Sequence, residues 1–314
     1  MAQQQRMTAL GIAARGGRIG YTLIARGGDG ALRLLAQGQC ARPEALAALQ
    51  GEDGAPLLAA SVIGTGCSSM SPALTALAAG TPVVHINPLE AYLLAPLAEH
   101  IGLNAPYVAL VASARHTALV RVRTPCEYAV LGQALDISAG AVFDALACQL
   151  GMDLPGGPTI ARLADFGNPK ACDLLPTAAG TDTLDFSFAA LQAAALQRAR
   201  ELEGSPCEQP RADLAASVQE AVIAQLAAQT ARTLQRTGIS QLALGGGVAC
   251  NTALRERLAT VGTVYPVTAL ARHRSARVAL AALLRHATCA GAAPVSPAAA
   301  PAAALAGSGT QRPA

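Results

Sequence analysis

Pro106-Tyr-Val-Ala-Leu-Val-Ala-Ser-Ala-Arg-His-Thr-Ala-Leu-Val-Arg-Val122 reads as a strand, a tight bend and a second strand. Tyr107 to Val111 is a short apolar run, Ser-Ala-Arg-His is the bend, and Ala118 to Val122 resumes the apolar chain. The same plan stands about a hundred residues earlier, within Thr8 to Ala25. There Ala9-Leu-Gly-Ile12 and Ile19-Gly-Tyr-Thr-Leu-Ile24 flank a Gly16-Gly17 bend. Two such openings predict two related α/β halves.

Working outward from them, the periodicity predicts a helix over Pro72 to Ala79, a strand over Pro82 to Ile86 and a helix over Leu89 to Ile101. In the second half it predicts helices at Ser138 to Leu150 and Ala212 to Thr237, the latter ending at Gly238. Gln241 to Leu244 is a short buried strand that runs into Gly245-Gly246-Gly247 and a helix from Asn251 to Ala259. A last helix spans Arg274 to His286. These divide the chain into an N-terminal subdomain over 1–105, a C-terminal one over 106–286 whose last helix is free to pack back on the first half, and a tail over 287–314. The tail is dominated by Ala and Pro, which neither propagate a helix nor bury much area, and is expected to be disordered.

Of the 314 residues 52% are apolar, 14% charged and 3% aromatic. That excludes a disordered or fibrous chain, and the scarcity of rings argues against a base-stacking platform for single-stranded nucleic acid. A net charge of +3 is too small to predict nucleic-acid or membrane binding by itself. Lys170 is the only lysine, so a P-loop or Schiff-base lysine is excluded at every other position. From Gly54 to Leu89 there is no charged residue before Glu90, yet Gly64, Gly66, Ser71, Pro72, Gly80 and Pro82 break the run; a buried strand, turn, helix and strand fits better than a membrane span. The eight cysteines (40, 67, 126, 148, 172, 207, 250 and 289) form no Cys-x-x-Cys pair, and no signal segment follows the polar Met1 to Arg6. Reduced, buried thiols and a cytoplasmic location are expected.

Chemistry is expected at three turns of small residues: Gly16-Gly17, Ser113-Ala114-Arg115 and Gly245-Gly246-Gly247. A phosphate approaches backbone N–H groups only where side chains are small, and a helix N-terminus adds a favourable dipole. Each turn alone is as readily an ordinary structural turn. Together they match the plan of the actin, sugar-kinase and chaperone ATPases, in which two hairpins pinch the phosphates and a later glycine loop meets the adenosine.

The second half also resembles the tRNA threonylcarbamoyladenosine synthesis transferases, once called O-sialoglycoprotein endopeptidases. The resemblance rests on Tyr128-Ala-Val-Leu-Gly-Gln-Ala-Leu-Asp136, Ala139-Gly-Ala-Val-Phe-Asp144 and Leu150-Gly-Met-Asp-Leu-Pro-Gly-Gly-Pro158. It continues through Leu184-Asp-Phe-Ser-Phe188 and Leu244-Gly-Gly-Gly-Val-Ala-Cys-Asn251, and covers roughly Pro82 to His286 in order. It implies an actin-like ATPase fold made of two ribonuclease-H-like subdomains. It implies too that Val111, Ala112, Ser113, Ala114 and Arg115 line the phosphates of ATP or threonylcarbamoyl-adenylate. Asp144 and Gly157 would contact the ribose, Asn251 would lie beside the adenine, and Gly246 and Gly247 belong to the adenosine loop. The plainer alternatives are a solvated helix carboxylate for Asp144 and a helix N-cap for Asn251.

The sequence departs from that family at the ion. Two His four residues apart and a later Asp would hold iron or zinc; the matching positions here are Pro88, Tyr92 and His273. Proline has no ligand atom and neutral tyrosine is a poor one, so no iron or zinc is expected. Convergence of Tyr92, His116 and His273 on some other ion is the weaker reading. The first hairpin, Gly11-Ile-Ala-Ala-Arg-Gly-Gly-Arg18, lacks the family's carboxylates, and Ala114 and Arg115 replace two glycines. Arg115 either clamps a phosphate or fills the cleft. Three functions follow. One is a divergent transferase passing the threonylcarbamoyl group to adenosine 37 of tRNA, with its catalytic residues unassigned. The other is an inactive paralogue that binds nucleotide and pairs with a TsaB-like or an active TsaD-like protein. A transferase or kinase for another small molecule is a third. Contact with tRNA would fall to Arg115, Arg121 and Arg123, unless these form a solvated strand face; no membrane partner is expected.

Overall fold

The computed structural model describes residues 7–15, 18–41, 46, 49, 57–62, 83–125, 127–174, 183–203 and 207–288. The Gly16-Gly17 bend, the helix expected at Pro72 to Ala79, the glycines at 64 and 66 and the chain beyond 288 lie outside them. The chain divides into two units, one of residues 1–105, 123–128 and 268–314, the other of 106–122 and 129–267.

In the first unit, β1 (Met7–Arg15) and β2 (Arg18–Arg26) form an antiparallel hairpin with Leu10 opposite Leu23. β3 (Leu32–Cys40) extends it antiparallel; on the other side β4 (Leu57–Val62) and β5 (Val83–Ile86) add in parallel, giving the order β3-β2-β1-β4-β5. Helix α1 (Pro88–Glu99) follows β5. It starts where it does because the Asn87 side chain accepts from Leu89 N at 2.8 Å and Pro88 occupies a first-turn position whose N–H would be orphaned anyway. The last helix, whose packing the sequence left open, lies in this unit and runs two residues past His286. It approaches β1 so closely that a Cβ on Gly11 would fall 1.9 Å from the Ser275 carbonyl oxygen. Ile86, Leu94, Val278 and Ala282 close the apolar layer between it and α1. Inside that layer Glu90, 4% exposed, accepts from Arg285 at 3.1 Å and from the Tyr128 hydroxyl at 2.8 Å.

In the second unit, β6 (Tyr107–Ala112) is buried along its whole length and pairs antiparallel with β7 (Thr117–Thr124), Leu110 opposite Leu119. β8 (Glu127–Gln133) flanks β7. On the far side β6 pairs in parallel with β9 (Gln241–Gly245), and β9 with β10 (Thr263–Tyr265). The order β8-β7-β6-β9-β10 repeats that of the first unit, hairpin on one side and parallel strands on the other. This is the ribonuclease-H-like arrangement twice over, an actin-like ATPase fold.

Helices α2 (Ala139–Gln149), α3 (Gly156–Ala164), α4 (Ala189–Glu201), α5 (Gln209–Thr237) and α6 (Thr252–Leu258) complete that unit, and the chain ends its described part in α7 (Arg274–Thr288) of the first. The segment Leu184 to Phe186 covers the β8 edge: Phe186 N donates to Gln133 O and Leu135 N to Phe186 O, both at 2.9 Å. Asp136 then caps α4 from outside it, accepting from the Phe188 and Ala189 amides at 2.9 and 3.1 Å and from the Ser187 hydroxyl at 2.6 Å. Burial opposes its ionisation, but these donors together hold its carboxyl below the usual range. Helix α5 ends where expected, on Gly238 at φ 67°, whose N–H donates to Leu234 O.

Candidate functional site

The residues that the resemblance assigns to the nucleotide all lie in the second unit. β6 leads out of the middle of its sheet and ends at Ala112, and Ser113-Ala-Arg-His116 turns the chain into β7. Ser113 closes that turn: its N–H donates to His116 O at 2.8 Å, and its Oγ accepts from the amides of His116 and Arg115 at 3.0 and 3.3 Å. The hydroxyl is thus spent on loop geometry. Val111 and Ala112 are completely buried, so neither presents exposed surface to a ligand. Ala114 and Arg115 are exposed. His116 is exposed too; partial desolvation, and then the Arg115 charge, hold it below the ordinary histidine value.

The turn is fastened to the start of α2. Ser138 caps that helix, accepting from Ala141 N at 3.2 Å, and its hydroxyl donates to Ala114 O at 2.8 Å. Thr117 Oγ1 accepts from Ala139 N at 2.8 Å. At Gly140 a Cβ would fall 2.5 Å from Ser113 O and 2.6 Å from Ala114 N, so this close approach requires glycine. The positive end of the α2 dipole therefore sits against the turn, which favours an anion there. Asp144 lies one helical turn beyond Gly140 on the same face. Its Oδ1 accepts from Gly156 N at 2.7 Å, the first residue of α3; its second oxygen carries no hydrogen bond among the described residues. Beside it Gly157 faces open space, with no atom within 4 Å of where a Cβ would stand.

The glycine loop meets the same turn from the other side. Val111 pairs with Gly245 in the parallel ladder, and Gly246, at φ 100°, lies so near β6 that a Cβ would fall 2.2 Å from Ala112 O. Gly247 is open. After a short turn, Asn251 caps α6 by accepting from Leu254 N at 3.1 Å, the cap role expected as its plainer alternative. The structure thus packs Gly246 directly against residues 112 and 113, with 247 and 251 following it along the chain, and ties the turn to α2, the helix that carries Asp144. Sequence reasoning missed the roles of Ser138 and Gly140. Ser138 had a readable signal, a serine just ahead of an apolar helix; Gly140 had none.

A family model, described as tRNA N6-adenosine threonylcarbamoyltransferase (TsaD), matches residues 70–280. The chain belongs to this family. It is 41% identical over 210 residues to the tRNA N6-adenosine threonylcarbamoyltransferase of Methylibium petroleiphilum, covering 65% of this chain and 60% of that protein. With the Ralstonia pickettii enzyme it shares 38% over 219 residues, 67% and 63% of the two. The chain thus spans little more than three fifths of these relatives' length. Among solved structures it is similar to full-length HypF in a phosphate- and nucleotide-bound form, with TM-score 0.64 and 12% identity over 92% of this chain and 47% of that one. The activator of the 2-hydroxyisocaproyl-CoA dehydratase from Clostridium difficile, with bound ADPNP, gives 0.52 and 10% over 90% and 97%. At such identities these likenesses concern the fold alone.

The iron or zinc implied by the TsaD family finds no fitting donors. Pro88 is the first residue of α1. Tyr92, one turn on, carries the Arg277 guanidinium 4.2 Å above its ring centroid. Arg277 is held there by donating to Ala271 O and Arg272 O at 2.7 and 3.1 Å. His273 is exposed, and its carbonyl is taken by Arg277 N. A fixed cation stacked on Tyr92 repels an ion at that place. Among the described residues no three His, Cys, Asp or Glu side chains group to hold a metal. The arginines expected to face tRNA do not form one exposed row either: Arg123 pairs with Glu127 at 2.9 Å, and Arg121 is half-buried. No described helix is long and apolar enough to cross a membrane.

Proposed function

We propose that this chain serves tRNA threonylcarbamoyladenosine modification in the cytoplasm as a metal-free family member that does not itself transfer the group. Its second unit binds ATP or threonylcarbamoyl-adenylate, and it works as the partner of a TsaB-like or an active TsaD-like protein. The observation that carries this reading is the contrast between the two places. In the second unit the Ser113 turn is bonded to the start of α2 and packed against Gly246, and Gly157 and Gly247 are open. At the family's ion position, by contrast, a proline and an arginine-covered tyrosine stand where ligands belong.

The chemistry favours the same reading. Attack of an adenosine amine on a carbamoyl carbonyl develops negative charge on the carbonyl oxygen, and a Lewis acid there is typically worth several kcal/mol. Nothing at positions 88, 92 or 273 supplies one. The intact second-unit geometry is what would favour the rival reading, an active transferase, and one assay separates them. Purified chain incubated with threonylcarbamoyl-adenylate and unmodified tRNA is expected to make no modified adenosine above a tRNA-only blank. It is also expected to co-purify with a threonylcarbamoylation protein and to change that protein's turnover. Robust turnover by the isolated chain would refute the proposal.

A further inference from the structure

Helix α1 is gripped at two places by hydroxyl groups from distant parts of the chain. Near its start Glu90 accepts from the Tyr128 hydroxyl at 2.8 Å, a hydroxyl that also meets the Pro125 carbonyl. Tyr128 packs on the apolar layer of Ile86, Leu94 and Val278. At the end of the helix Glu99 accepts from the Thr268 hydroxyl. Thr268 Oγ1 in turn accepts from Ala271 N at 3.0 Å, which leaves its one hydrogen for Glu99. The other oxygen of Glu99 is buried without a hydrogen bond among the described residues, and burial raises this carboxyl above its ordinary value. Nine residues separate the two glutamates, about two and a half turns, so they lie on opposite faces of α1 and about 13 Å apart along it.

Both partners stand where the chain passes from one unit to the other. The first unit takes in 123–128 and resumes at 268, so Tyr128 ends one of its stretches and Thr268 begins the next. Tyr128 belongs to β8, and Thr268 follows β10 by three residues; these are the two outer strands of the second unit's sheet. We infer that α1 is a yoke, holding Tyr128 on one face and Thr268 on the other so that both crossings are fixed together and loosening one loosens the other. The helix is the rigid element that carries the coupling between them.

The test is native-state amide hydrogen exchange of the full chain, read by mass spectrometry, for the wild type, Tyr128→Phe, Thr268→Val and Thr268→Ser. Tyr128→Phe should speed exchange about fivefold to tenfold in 123–128, the effect of one lost hydrogen bond. It should also speed exchange at least about twofold in 266–272, on the opposite face of α1. Thr268→Val should give the mirror pattern, and Thr268→Ser, which keeps the hydroxyl, should stay within about twofold of the wild type. Faster exchange at the substituted crossing alone would mean two independent ties and would overturn the inference, as would no change in either variant. Equal acceleration in the buried β6 would mark a general loss of stability and overturn it too. If one variant does not fold, the other, read at the opposite crossing, decides.

Discussion

Gly246→Ala is expected to destabilise the second unit by about 3 kcal/mol or more and to abolish nucleotide binding. Two terms add. A side chain at φ 100° is strained by about 1–2 kcal/mol, and a Cβ 2.2 Å from Ala112 O overpacks against backbone that cannot rotate away, for about 1–3 kcal/mol. The loop can escape only by leaving β6, which separates the glycines from the Ser113 turn. Gly247→Ala is the control. Its φ is −69° and its Cβ would meet nothing within 4 Å, so urea unfolding should show a change below about 1 kcal/mol. Any loss of nucleotide affinity in Gly247→Ala then reports contact with the ligand itself. Equal stability of the two variants would contradict the loop geometry.

Glu90→Ala is expected to lower the stability of the first unit by about 3 kcal/mol, because it removes the buried carboxylate that faces the Arg285 guanidinium, itself 17% exposed. Glu90→Gln is expected to stay within about 1 kcal/mol, since the amide oxygen still accepts from Tyr128 or Arg285. Burial raises the Glu90 carboxyl above its ordinary value even though Arg285, Tyr128 and the Asn87 backbone all pull it down. Ionising it therefore costs the fold. Its contribution is fully present in acid, below the unfolded carboxylate value, and declines as pH rises through the raised folded value. Thermal melts of the wild type and Glu90→Gln should accordingly diverge towards neutral pH in favour of glutamine. Divergence in the opposite sense would show that the ion pair outweighs desolvation.

Both hairpins were legible because their strands are short apolar runs separated by bends, a pattern local to each segment. The long α5 was legible because its apolar period and its terminal Gly238 agree. Other elements escaped for physical reasons. Helix α3 opens on Gly156-Gly157-Pro158, residues that signal a turn, yet proline is tolerated in a first turn where its missing N–H costs nothing. Helix α4 opens on alanines with little periodicity, and its cap is Asp136, which comes from another part of the chain. β3 is an edge strand whose alternation is irregular.

At the candidate site the residue types were readable and their division of labour was not. Ser113 reads as a phosphate ligand, yet its hydroxyl closes a turn. Asn251 reads as a base contact or a cap, and its side chain caps α6. The necessity of Gly140 and Gly246 arises from backbones remote in sequence, so no local pattern announces it. That positions 88 and 92 carry no histidine was readable from the sequence, but the cation stacked on Tyr92, Arg277, comes from α7 and became apparent only with the fold.

If the adenine-nucleotide site persists while Arg277 occupies the ion position, as proposed, the purified full chain titrated with ATP in a calorimeter should show saturable binding near one nucleotide per chain. Iron and zinc in the same sample should lie far below stoichiometric. Stoichiometric iron or zinc, or no heat of binding from a folded chain, would contradict the proposal.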